Sequence, residues 1–183
     1  MKKIISILAP LVFLFSLCGC EANLNNTPTK QVEIFFGKYQ TLDKDILDDL
    51  DKVIAEEESF NTTHRDTYRS IMKKHYQDLE YEIKDERIDG DRAVVTVEIE
   101  VDDYSKVLKE SSDKLTSDPE YFNDENGKYS HTKYIDYQLD LMKKNKDKVK
   151  YTLELTLTKK DKKWVMDNLT TTDMEKMNGT YNY

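Results

Sequence analysis

The stretch YEIKDERIDGDRAVVTVEIEVDD, residues 81–103, carries the pattern on which the fold is read. Led in by Leu79, Tyr81 and Ile83 alternate with Glu80, Glu82 and Lys84. Val95, Val97, Ile99 and Val101 then alternate with Thr96, Glu98 and Glu100. Successive side chains of a strand point to opposite faces, so a period of two marks strands with one dry face and one wet face. Between the two runs, Asp89-Gly90 supplies a tight turn, because glycine enters positive φ without steric cost. The stretch is therefore an antiparallel hairpin whose dry face must be covered.

The chain repeats the pattern further on. Val149, Tyr151, Leu153, Leu155 and Leu157 alternate with Thr152, Glu154 and Thr156; Lys159–Lys163 turns the chain, and Trp164 to Leu169 returns. Between the hairpins the period is helical. Tyr104, Val107, Leu108 and Leu115 form one stripe, capped by Asp102 or Asp103, and His131, Tyr134, Ile135, Gln138, Leu141 and Met142 form another. Residues 116–130, with Pro119 and Asn126-Gly127, read as a long loop. Ahead of the first hairpin, Thr27-Pro28 is an N-cap followed by proline at the first helical position, and Val32, Phe35, Phe36 and Tyr39 follow at helical spacing. Ile46, Leu47, Leu50, Val53 and Ile54 make a second helix. Thr62 or Thr63 can cap a third, striped by Tyr68, Ile71, Met72, His75, Tyr76 and Leu79. Helices, hairpin, helices, hairpin is the order of an α+β domain, with helices packed on one face of a curved antiparallel sheet.

The first twenty residues have a different character. Lys2 and Lys3 precede the apolar run IISILAPLVFLFSL, residues 4–17. A helix of fourteen residues spans about 21 Å, short of a bilayer core of roughly 30 Å, so a signal peptide is expected rather than a permanent span. The run ends in Leu17-Cys18-Gly19-Cys20, which resembles the lipobox of bacterial lipoproteins, apart from Cys18 where a smaller residue is usual. The resemblance implies that Cys20 is acylated and becomes the new N-terminus. Two acyl chains hold a protein on a membrane where one is marginal. A metal site at Cys18 and Cys20 would need further ligands, and residues 21–60 hold no His or Cys. The expected organisation is a signal peptide over 1–19, a lipidated tether over 20–27, one domain over 28–178 and a tail over 179–183. The expected location is the extracytoplasmic face of the cell membrane.

The 28 basic and 36 acidic residues give a net charge of −8, and the chain from Cys20 onward carries −10 because Lys2 and Lys3 are lost. That balance argues against nucleic acid as a partner and against a polybasic membrane patch. Residues 21–183 contain no cysteine, which excludes a disulfide framework, a thiolate metal site and a cysteine nucleophile there.

Taken with the closing stretch YTLELTLTKKDKKWVMDNL at 151–169, the hairpin at 81–103 and the Pro28-led helix resemble the NTF2-like, or cystatin-like cone, fold. The similarity is to small lipoproteins of unknown function from low-GC Gram-positive bacteria. The resemblance implies a cone between helices and sheet, where enzymes of this fold place Asp, His or Tyr. Asp103 continues the inward parity of Val101, His75 lies on an apolar stripe, and Tyr81 faces the same interior, so these three are the candidate pocket residues. Each also has a structural role open to it: Asp103 as a helix cap, His75 as a buried boundary residue, Tyr81 as core. Asp85 extends the same parity, but it sits four residues before the turn and is expected to lean into solvent as the strand twists. The segments DERIDG at 85–90 and NDENG at 123–127 lack the ligand pattern of a calcium loop. No catalytic, cofactor or metal set is expected. The function expected is a non-catalytic binding module for an envelope protein or a small hydrophobic ligand, with a small-molecule isomerase or dehydratase as the alternative.

Overall fold

The structure is a computed structural model that describes residues 26–181. The signal peptide, Cys20 and most of the tether therefore lie outside the described residues. Helices α1 (Pro28–Gln40), α2 (Lys44–Glu56) and α3 (Thr62–Gln77) lead into strands β1 (Glu80–Asp89) and β2 (Arg92–Asp102). Helices α4 (Tyr104–Ser117) and α5 (His131–Lys144) follow, then β3 (Lys148–Lys160), β4 (Lys163–Met166) and the short helix α6 (Thr171–Met177). The four strands form one curved antiparallel sheet in the order β1-β2-β3-β4. Among the described residues no helix is long and apolar enough to cross a membrane.

The alternation does what it predicts. Val95 pairs with Leu155, Val97 with Leu153 and Ile99 with Tyr151, and all six are buried on one face. Fully burying such a side chain contributes roughly 1.5–3 kcal/mol. Val32 and Phe36 of α1 lie wholly buried against this face, and Trp164 and Met177 complete the same core. A second core sits between the helices, where Leu50, Ile54, Ile71, Met72, Tyr104, Val107, Ile135 and Leu139 pack together. The rings of Tyr39 and Tyr76, 5.1 Å apart and edge to face, join the two cores.

Three local expectations change. Asn61, not Thr62 or Thr63, caps α3: its Oδ1 accepts the His64 N–H at 2.9 Å, and its own N–H donates to His64 Nδ1 at 3.4 Å. The supposed loop 116–130 contains a 3₁₀ turn, Pro119–Phe122, because Phe122 is fully buried and needs a fixed anchor. A one-residue bulge at Lys84 reverses the parity of β1: Ile83 opposes Val97, but Asp85 opposes Thr96 on the wet face. The bulge also turns Glu86 toward α1, where its carboxylate accepts from the Thr29 N–H at 2.8 Å and hydroxyl at 2.6 Å. Anions are favoured at such a helix N-terminus.

Packing continues past the second hairpin to Tyr181, whose carbonyl accepts the Tyr151 hydroxyl at 3.1 Å. Gly179, at φ +66°, presses so closely on the β2–α4 junction that a Cβ there would lie 1.9 Å from the Asp102 carbonyl oxygen. Gly37, inside α1, has nothing within 4 Å of such an atom. Gly179→Ala should therefore destabilise the protein by at least about 3 kcal/mol, and Gly37→Ala should stabilise it by roughly 0.5–1 kcal/mol. Urea denaturation of the two variants reads both signs.

Candidate functional site

The far ends of β2 and β3, where Asp102 opposes Lys148, border a cleft of about 540 Å³. Its walls are the face of α3 that carries Asp66, Ser70, Ile71 and Lys74, and the C-terminal end of α5 with Met142 and Lys143. Asn145, Lys146 and Lys148 close the remaining side, and Asp102 and Tyr104 line the base. The volume falls in the usual range for a small-molecule site. Ile71 and Met142 give it an apolar patch, and the lysines give it a cationic rim. Among the described residues Lys143 and Lys146 take part in no ion pair, whereas Lys74 is paired with Asp78 and Lys148 with Asp102 at 3.1 Å.

Behind the base sits His75, 1% exposed. Helix α3 delivers it on the same stripe as Ile71 and Met72, so burial is dictated by the amphipathic period. Its Nε2 donates to the Met177 carbonyl at 2.8 Å, and its Nδ1 lies 3.4 Å from Asp102 Oδ2. A carbonyl and a carboxylate both only accept, so the ring makes both bonds when both nitrogens carry protons. The Tyr104 hydroxyl donates to the same Asp102 oxygen at 3.3 Å, and the two rings are 5.1 Å apart. Burial pushes the Asp102 carboxyl up, but hydrogen bonds from His75 and Lys148 and the Lys148 charge outweigh it and hold its pKa at about 2. Burial, aided by the adjacent Asp102 charge and hydrogen bond, pushes the Tyr104 hydroxyl far up, so Tyr104 is a donor at any physiological pH.

The three candidate residues lie apart. His75 is bonded to Asp102, one residue before Asp103. Asp103 occupies the N-cap position of α4, yet its side chain accepts no hydrogen bond from the helix backbone. It is 2% exposed, accepts from the Ser105 hydroxyl at 2.6 Å and lies 3.5 Å from Lys106 Nζ. Asp103 is buried, as its parity with Val101 suggested, but its carboxylate turns to Ser105 and Lys106, and it is Asp102 that meets His75. Tyr81 stacks on Phe36 with ring centroids 4.6 Å apart, inside the sheet-side core and outside the cleft. The carboxylate that sequence parity missed, Asp102, had one signal available: it is the last strand residue before a helix, where two consecutive acids stand. His64, also buried, lies 2.9 Å from the exposed Asp136 carboxylate in the capping arrangement of α3. Among the described residues no three His, Cys, Asp or Glu side chains are grouped to hold a metal.

No family model, curated protein or solved structure matches this chain.

Because the Asp102 carboxyl titrates lower in the fold than its ordinary value of 3.8, its contribution is present above about pH 4 and is lost as pH falls through about 2. Holding the carboxyl at about 2 in place of 3.8 contributes about 2–3 kcal/mol. Asp102→Asn should cost about 2–3 kcal/mol near neutral pH, since it strands His75 and Lys148, and should flatten the loss of stability between pH 4 and pH 2. Urea midpoints measured at pH 7 and pH 3 on both proteins check this; an unchanged acid slope in the variant contradicts it.

Proposed function

We propose that this chain is a lipoprotein anchored through Cys20 to the extracytoplasmic face of the membrane, built on an NTF2-like fold, and that it binds a small ligand without transforming it. The anchor rests on the short apolar run 4–17 and the Leu17-Cys18-Gly19-Cys20 junction. The fold reading rests on the N-terminal helices and the one-sided antiparallel sheet. The binding reading is carried by one observation: the cleft is open and mixed in polarity, while the titratable groups at its base are bonded to one another. His75 keeps one nitrogen on Met177 and turns the other to Asp102, so neither is aimed into the cleft. A general base must reach the proton that it takes. The ligand that fits has an apolar body against Ile71 and Met142 and an anionic or polar group near Lys143 and Lys146.

A single observation favours the enzyme alternative: a buried histidine–carboxylate pair borders the cleft, with Asp102 and Tyr104 exposed to it. In an enzyme of the isomerase or dehydratase kind, His75 would first have to leave Met177, and Asp103, the partner that parity suggested, would have to leave Ser105.

Two measurements test the proposal. The intact mass of the membrane-extracted protein should correspond to a chain starting at an acylated Cys20, and Cys20→Ala should leave uncleaved precursor. A cleaved Cys20→Ala protein still held tightly by membranes would count against the anchor. Mass spectrometry of the gently extracted protein should show a bound small molecule. Ser70→Trp, at an exposed position on the cleft wall, should remove it while changing stability by no more than about 0.5 kcal/mol.

A further inference from the structure

The opposite end of the sheet carries a second feature. The β3–β4 turn reads Lys159-Lys160-Asp161-Lys162-Lys163, four cations and one anion in a chain that is otherwise strongly acidic. Lys159 Nζ lies over the Trp164 ring, 5.4 Å from its centroid. Lys160, Lys162 and Lys163 are exposed and, among the described residues, take part in no ion pair. The neighbouring β1–β2 tip sets Asp89 and Asp91 against Arg92, so the two tips together stay positive.

This turn breaks two rules of local stability. Asp161 and Lys162 both sit in left-handed backbone, at φ 50° and 64°. Hairpin turns with two such residues favour glycine or asparagine, and a lysine there is strained. Lys160 directly opposes Lys163 across the strands, and like charges so placed repel. A glycine at 162 and an acid at 160 or 163 would suit the fold better. Local rules broken without a gain inside the molecule point to a gain outside it, and four clustered lysines match an anionic lipid surface.

The path of the chain shows which surface is within reach. Asn26 is clamped to β4: its Oδ1 accepts the Trp164 N–H at 2.6 Å and its Nδ2 donates to the Trp164 carbonyl at 3.2 Å. Cys20 lies six residues before Asn26, and six extended residues reach about 20 Å at most. An acyl chain on Cys20 therefore holds Trp164 and the adjoining lysine turn close to the bilayer. The cleft lies at the other end of the thirteen-residue strand β3, roughly 40 Å away.

We propose that the Lys159–Lys163 turn is a membrane foot: it rests on the anionic phospholipid headgroups of the leaflet that holds Cys20, and stands the domain with its cleft facing away from the bilayer. The inference rests on the anchor reading of Cys20 and adds an orientation to it.

The chain's one tryptophan, Trp164, reports on the foot. The acylated protein is reconstituted into vesicles of phosphatidylcholine alone or with about one-third phosphatidylglycerol, each doped with a headgroup-labelled dansyl lipid. Energy transfer from Trp164 should be roughly two-fold greater in the anionic vesicles and should fall with added salt. In Lys160→Gln/Lys162→Gln/Lys163→Gln it should drop to the phosphatidylcholine level. The variant's melting temperature should stay level or rise, since strain and like charge are not needed by the fold, and this separates a lost contact from a lost structure. Equal transfer in both vesicle types, or transfer unaffected by the three substitutions, overturns the foot while leaving the anchor intact. An unacylated Cys20 in the intact mass overturns both.

Discussion

Val97 faces Leu153 across the middle of the sheet, and neither is exposed to solvent. Their neighbours along β2 and β3 repeat the arrangement, and the opposite face carries Thr96, Glu98, Thr152 and Glu154. With no cysteine after Cys20, nothing covalent holds the domain, so burial of this one face carries it. The face needs a lid, which is why α1 lies across the strands with Val32 and Phe36 inward. The lid in turn must be held, and α3 holds it through Tyr39 and Tyr76.

Among the described residues the buried polar side chains His64, His75, Asp103 and Ser111 each have a hydrogen-bond partner, whereas the buried Arg65 Nε has none. His75 bridges the C-terminal segment, through Met177, to the end of β2, through Asp102. A buried polar group left alone would be costly, so the bridge fixes the last segment of the chain against the sheet as firmly as an apolar contact would. Gly179 fits at the same junction, where no side chain has room. The cleft owes its base to this junction. Asp102, Tyr104 and Lys148 stand at its edge because strand pairing ends there and the chain turns into α4.

The long strands β2 and β3 separate two kinds of surface. At one end lies the cleft, rimmed by lysines that face partly apolar walls. At the other lie the hairpin tips, the clamp between Asn26 and Trp164, and the strained lysine turn. A tether of six residues joins that second end to the proposed anchor, so the sheet itself would act as a spacer between bilayer and cleft.

Much of this was legible beforehand, because periodicity is a local property. The alternation at 95–101 and 151–157, the Thr27-Pro28 start of α1 and the stripe from Tyr68 to Leu79 each follow from where side chains point along one element. The site was less legible, because parity tells which face a residue takes and not which partner its side chain meets. It put Asp103 inside correctly, but the Asp103 carboxylate bonds Ser105 while Asp102 meets His75, and Asp85 leans into solvent, as its place near the turn suggested, through a bulge at Lys84 that parity does not show. Net charge argued against a basic membrane patch; a sum over the chain cannot show that four lysines gather at one tip beside the tether. The sequence by itself determined the class of fold and which faces are dry, since both depend on neighbours in the chain. Tertiary structure alone decided which carboxylate meets His75, what holds the C-terminal segment and which end of the molecule the N-terminus leaves from, since those contacts join residues on different elements, 27 positions apart for His75 with Asp102, 102 for His75 with Met177 and 138 for Asn26 with Trp164.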